Sequence, residues 1–222
     1  LSLHDALPIY AIRAGVLGSN DGILTVVGVL FSVAAATTNN FAIFIAGLAD
    51  LMACALSMAS GEYASVSSQS DSEKVVVAQE EALLKSDFSG QHLTVENFYV
   101  DRGVTRSTAK AIADELLTKK PLETMLSIKY DIKLGHYMNP WSAAWASLFS
   151  AAIGGVFPLA ALILSPARYQ FIATIAATAV AVALTGLLSA KLSNGLVKRA
   201  VIRNIIIGLL TIAIHYGIGK LF

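Results

Sequence analysis

Asp50, Cys54, Met58 and Glu62 follow one another at intervals of four residues. Four residues of α-helix turn through about 400°, so a stripe with this spacing drifts only about 40° per step. The four side chains would line one gently winding face. They offer hard carboxylate oxygen beside soft thiol and thioether sulfur. Such a mixed set suits borderline divalent ions such as Fe²⁺, Mn²⁺ or Zn²⁺ better than Mg²⁺ or Ca²⁺, which favour oxygen alone. The bland readings are a gap-filling thioether at Met58 and a small buried hydrophobe at Cys54. Asp21 stands in a separate apolar run, with Asn20 and Thr25 close by as neutral oxygens. It lies about eight residues into that run, roughly 12 Å along a helix, and Met58 falls at a similar depth if the two runs are antiparallel.

The elements that must position these residues are membrane spans. The 222 residues are 55% hydrophobic and only 14% charged, against roughly 25% charged for an ordinary soluble domain. Mean hydropathy is +0.66. About 20 apolar residues cross a bilayer as a helix, and five runs qualify, at about 14–36, 42–64, 140–164, 169–190 and 201–219. Asp21 and Asp50 therefore sit in hydrocarbon, where a carboxylate costs roughly 2.5–3.5 kcal/mol on insertion scales and marks a pathway by default. The alternative is a carboxylate held by a partner for packing alone. No acidic residue follows Asp131, so spans three to five carry no carboxylate. Gly18 and Gly22 make a GxxxG step in span one, and span four is rich in alanine; both suit close helix packing.

A polar insert over 67–136 separates spans two and three, with eleven acidic and nine basic residues. Ala109, Ile112, Ala113, Leu116 and Leu117 follow the i, i+3, i+4 pattern of an amphipathic helix, and Pro121 suits the first turn of the next one. The chain thus reads as an all-α integral membrane protein of five transmembrane helices with a cytosolic helical insert between helices two and three. Its parts are a leader of no assigned function (1–12), helices one and two (13–66), the insert (67–136) and helices three to five (137–222). The leader begins at Leu1 and shows no signal-peptide pattern.

Orientation follows from Lys and Arg placement. The insert, the loop between spans four and five (Lys191, Lys198, Arg199, Arg203) and Arg13 together carry fourteen, against Arg168 and Lys220 on the other side. The N-terminus and insert are expected in the cytosol and the C-terminus opposite. A net charge of +1 gives no global case for nucleic acid, and the single Cys54 excludes an intrachain disulfide and a Cys-only zinc site.

Three segments resemble the vacuolar iron transporter family, with its Ccc1-like and nodulin-21-like members: GSNDGILTVVGVLFSV at 18–33, SMASGEYASVSSQSDSEK at 57–74 and NPWSAAWAS at 139–147. The resemblance runs from Arg13 to the last span. It implies a five-helix subunit, a homodimer in the lipid bilayer, and export of Fe²⁺ or Mn²⁺ from the cytosol in exchange for protons, with no cofactor beyond these substrates. It places Asp21, Asp50 and Met58 along the route. It also implies a metal-loading insert rich in glutamate and methionine, from which this sequence departs. Of a glutamate pair three apart only Glu80 remains, with Leu83 in the second place. Glu81, His92, Glu96, Glu123 and Met125 remain as possible ligands, each weighed against a solvated helix face.

Three other readings compete. A membrane-embedded hydrolase would need a nucleophile with a base, or a metal cage. His4, His92, His136 and His215 are scattered, and neither HExxH nor GxSxG occurs. A non-transporting scaffold leaves Asp21 and Asp50 as unexplained costs. A transporter of another divalent ion, such as Zn²⁺ or Co²⁺, fits the residues as well as one for Fe²⁺ or Mn²⁺.

Overall fold

The computed structural model describes the backbone of residues 3–135 and 139–221, and side chains from Gly15 onward within them. The side chains of the expected leader, and the boundary at 136/137, lie outside these residues. Eight α-helices and no strand occur among the described residues: α1 (Leu3–Ala36), α2 (Asn40–Ser86), α3 (Phe88–Val100), α4 (Arg106–Lys119), α5 (Pro121–Tyr130), α6 (Pro140–Leu164), α7 (Gln170–Leu192) and α8 (Val197–Gly219). The helices divide between two compact units, one of residues 1–64 and 140–222, the other of 65–139.

Five helices are long and apolar enough to cross a membrane: α1 from Gly15, α2, α6, α7 and α8. Their packing is built on α1. Val26 and Leu30 of α1 meet Ile43 and Leu51 of α2 and Leu159 and Leu162 of α6. Ile23 meets Ala181 and Val182 of α7, and Val27 and Phe31 meet Ile212 of α8. The backbones of α1 and α6 touch at two glycines. A Cβ at Gly22 would collide with the Ala151 carbonyl, and one at Gly154 with that of Ser19. The small-residue step of span one therefore serves packing within the chain. The outward faces of the bundle stay apolar: Trp145, Phe149, Ile153, Ile172, Leu184 and Leu210 are all exposed. That inversion suits hydrocarbon, where no water competes and each helix satisfies its own backbone. Tyr63 and Trp141 lie with ring centroids 4.8 Å apart, the pairing expected where helices leave the apolar layer.

One boundary differs from expectation. Span two reads as ending near residue 64, yet α2 continues unbroken to Ser86. Hydropathy records where the apolar layer stops, not where the backbone stops being helical. No proline interrupts 62–86, and an α-helix closes its hydrogen bonds locally whatever its side chains face. The chain turns only at Asp87, whose carboxylate accepts from the Gly90 N–H at 2.9 Å and caps α3.

The second unit packs α3, α4 and α5 around Val95, Ala113, Leu117 and Met125, with Leu84, Tyr99 and Ile128 against them. The amphipathic face expected at 109–117 is the buried face of α4. Pro121 opens α5, and Asp131 closes it in the left-handed region at φ 54°.

Candidate functional site

In the membrane unit the first two rungs of the α2 ladder, Asp50 and Cys54, face α1. Thr25 of α1 stands beside both the Asp50 carboxylate and the Cys54 thiol, and that thiol lies in the field of both Asp21 and Asp50. Asp50 Oδ2 and Thr25 Oγ1 are buried and find no hydrogen-bond partner among the described residues. An unpaired polar atom in such a place costs about 1–3 kcal/mol, and a carboxylate oxygen more, so Asp50 Oδ2 is an acceptor with room for a proton or a cation, and the Thr25 hydroxyl beside it is the one donor at hand. Cys54, Met58 and Glu62 are half-buried along the same helix.

Two residues stand apart from this arrangement. Asn20 Oδ1 lies 3.3 Å from the Thr185 hydroxyl, whose one proton also faces the nearer Val182 carbonyl at 3.0 Å, and this places its amide against α7. Asp21, which a place in the hydrocarbon implied would be buried, is exposed on the surface of the single chain. The reason is helical phase: α1 turns Ile23, Val26, Val27 and Leu30 inward, which leaves Asp21 on the outer edge with Leu17. Among the described residues of one chain, no three His, Cys, Asp or Glu side chains gather into a metal-holding group.

Sequence reasoning set His215 aside. Its ring on α8 fills the space that Gly28 leaves on α1, its Nδ1 lies 3.0 Å from the Thr211 carbonyl, and Asp50 lies within its field. A carbonyl can only accept, so Nδ1 carries the proton in this contact. The signal was a histidine inside an apolar span, which is costly enough to invite a reason.

In the second unit every candidate ligand but Glu81 is already engaged or enclosed. Glu80 is fully buried. Its two oxygens accept from the Lys129 ammonium at 3.0 and 3.1 Å, and Oε1 also accepts from the Tyr130 hydroxyl at 3.0 Å. Lys129 donates further to Gln91 Oε1 at 2.7 Å. Glu96 pairs with Arg106 at 3.3 Å, Glu123 with Lys120 at 2.8 Å, and His92 with Asp114 at 2.7 Å. Met125 is fully buried in the apolar core. Glu81 is exposed at the edge of a cleft shared with Phe88 and Leu122.

The hydrogen bond to Glu80, aided by partial burial and the carboxylate's charge, holds the Tyr130 phenol above its ordinary value near 10. A raised pKa contributes stability that is complete below the unfolded value and is lost as pH climbs through the folded one. The contact should therefore persist at neutral pH and fail only well into the alkaline range. Ultraviolet titration of phenolate, parent minus Tyr130→Phe, should show one tyrosine ionising later than an ordinary phenol. A difference spectrum that ionises with the ordinary phenols would mean that the bond does not form.

Five helices long and apolar enough to cross a bilayer, with Thr25 of α1 beside Asp50 and Cys54 of α2, define a multi-pass helical membrane protein. The chain belongs to the VIT family, whose sequence profile matches residues 12–220. It is 32% identical over 211 residues to the vacuolar iron transporter of Acanthamoeba castellanii, covering 95% of this chain and 78% of that protein. It is 32% identical over 212 residues to vacuolar iron transporter homolog 1 of Oryza sativa subsp. japonica, covering 95% and 73%, and 30% identical over 211 residues to vacuolar iron transporter homolog 3 of Arabidopsis thaliana, covering 95% and 82%. All three are named as transporters rather than enzymes.

Proposed function

We propose that this chain carries Fe²⁺ or Mn²⁺ out of the cytosol in exchange for protons, along a route lined by α1 and α2. The observation that carries the reading is the buried, unpartnered Asp50 oxygen beside Thr25 and Cys54 in the membrane unit of a VIT-family chain. Iron is the metal in the names of the relatives. Sulfur from Cys54 and Met58 favours a borderline ion over Mg²⁺. Asp21 is the exchanging group, a carboxylate to which a proton and a metal bind as competitors, and Asp50 offers a second carboxylate along the route. In this reading Asp21, Asp50 and Met58 contact the ion, Cys54 and Glu62 extend the ladder, and Glu62 lies at its cytosolic end. The basic loops and the insert face the cytosol, and the C-terminus faces away.

Exposure of Asp21 supports a homodimer. Left against lipid, the carboxylate would cost roughly 2.5–3.5 kcal/mol per chain. A second copy set against the same edge of α1 brings two Asp21 residues and two ladders to one seam. It supplies the further ligands that one chain does not gather.

The test is metal flux into proteoliposomes holding the full chain, with Fe²⁺, Mn²⁺, Zn²⁺ and Co²⁺ in competition and a pH gradient imposed in either direction. Fe²⁺ or Mn²⁺ uptake that follows the gradient is the expected result. Preferred Zn²⁺ or Co²⁺ uptake would reassign the substrate. Absence of flux for every metal in a folded, correctly inserted protein would leave a membrane scaffold.

A further inference from the structure

A second polar site lies in the membrane unit, away from the Asp50 seam. The middle of α1, the last turn of α7 and the first two turns of α8 line a cavity of about 470 Å³. Val16, Leu17 and Leu192 make its apolar wall, and Asn20, Ser189, Ser193, Arg203 and Asn204 its polar one. Thr185 links two of the lining amides: its hydroxyl lies 3.3 Å from Asn20 Oδ1, and Asn204 Nδ2 donates to it at 3.4 Å. Both amides are thereby held at the cavity. The Ser193 hydroxyl donates to the Ser189 carbonyl at 2.8 Å, which leaves its oxygen free to accept and the Ser189 hydroxyl free to donate.

Arg203 is the residue that asks for a ligand. It stands between one and two turns inside α8, a helix apolar enough to cross the membrane. No acidic residue occurs after Asp131, and among the described residues Arg203 forms no ion pair. Arg203 belongs with the basic connection between α7 and α8, and a long basic side chain so near a helix end reaches the headgroup layer, where phosphate is the partner at hand. Lys191, Lys198 and Arg199 add to the same positive field from the connection between α7 and α8. That field repels Fe²⁺ or Mn²⁺, so the cavity is not a branch of the metal route.

We propose that this cavity binds the phosphate of an anionic phospholipid. A guanidinium fork matches phosphate oxygens two at a time. Hydroxyl and amide donors complete the shell. The apolar wall, Val16 and Leu192 with Leu17 at its rim, suits acyl chains and not a free ion. Basic recesses between membrane helices are where anionic headgroups seat.

The experiment uses the full chain in nanodiscs of mixed phosphatidylcholine and phosphatidylglycerol, with retained lipid counted by native mass spectrometry after gentle extraction. The parent should retain phosphatidylglycerol over phosphatidylcholine. Arg203→Gln should cut that preference about tenfold, the worth of one charge-assisted phosphate contact. Lys198→Gln removes the same charge outside the cavity lining and should leave the preference within about twofold. Arg203 is exposed, so neither change threatens the fold, and thermal melting of both variants checks this. Equal losses in the two variants would show diffuse attraction only and overturn the site. So would equal retention of the two lipids by the parent. Competition by millimolar inorganic phosphate in detergent would assign the seat to a free anion and overturn the lipid.

Discussion

Asp21→Asn should abolish Fe²⁺ flux in proteoliposomes while the protein still folds and inserts. The substitution keeps size and one oxygen, and removes both the charge and the exchangeable proton. Asp21 makes no hydrogen bond or ion pair among the described residues of its own chain and lies on its surface, so the subunit loses no internal contact. The ion loses a great deal. One carboxylate about 4 Å from a unit charge is worth about 4 kcal/mol at an effective dielectric of 20. A divalent ion passing such a site should be held at least about a hundredfold more weakly without it. At a dimer seam the loss is doubled, since each substitution removes two carboxylates. Met58→Leu is the milder companion. It keeps the packing volume, takes away the thioether, and should narrow the discrimination between Fe²⁺ and hard ions such as Mg²⁺. Flux measured under an imposed pH gradient separates the two effects. If Asp21→Asn transports at the parent rate with the same response to the gradient, the central residue of the mechanism is wrong.

The structure also shows which kinds of information a single sequence carries. Apolar runs of bilayer length located all five crossing helices, because hydrocarbon imposes a composition on each residue separately. The four-residue ladder placed Asp50 and Cys54 on one face of α2 for a similar reason: helical phase is local. Three things were not legible. The continuation of α2 to Ser86 was hidden because polarity and helicity are independent beyond the membrane. The exposure of Asp21 depends on which face of α1 the other helices cover, which is set by Gly22 and Gly154 meeting backbone on opposing helices. The neighbourhood of His215 and Asp50 joins residues far apart in sequence through three helices packing together, and nothing near either residue announces the other. The insert shows the same limit. Glu80 and Met125 look like ligands by residue type, but one is closed by an ammonium and the other by apolar side chains.

That closed carboxylate gives the largest stability effect to be expected. Lys129→Met should destabilise the second unit by about 3–5 kcal/mol, the usual consequence of removing one partner from a buried pair. Glu80 has no exposure at all, and the Lys129 ammonium gives both its oxygens a donor while reaching Gln91 as well. Without the ammonium, Tyr130 alone would donate to Glu80, too little for a charge cut off from water. Glu80 lies on α2, Gln91 on α3 and Lys129 on α5, so one side chain pins three helices. The pair itself need not stabilise the unit over an apolar core, because two charges must be dehydrated to form it. Glu80→Met combined with Lys129→Met should therefore recover most of the loss, by about 2 kcal/mol or more. Limited proteolysis of the full chain, followed across parent, single and double variants, reads opening of this unit independently of the membrane helices. An additive double variant, no more protected than the worse single, would show that Lys129 acts through packing of its stem and not as the counter-charge to Glu80. Protection of Lys129→Met at the parent level would show that the carboxylate finds water or another donor, and that the ammonium is not what closes the site.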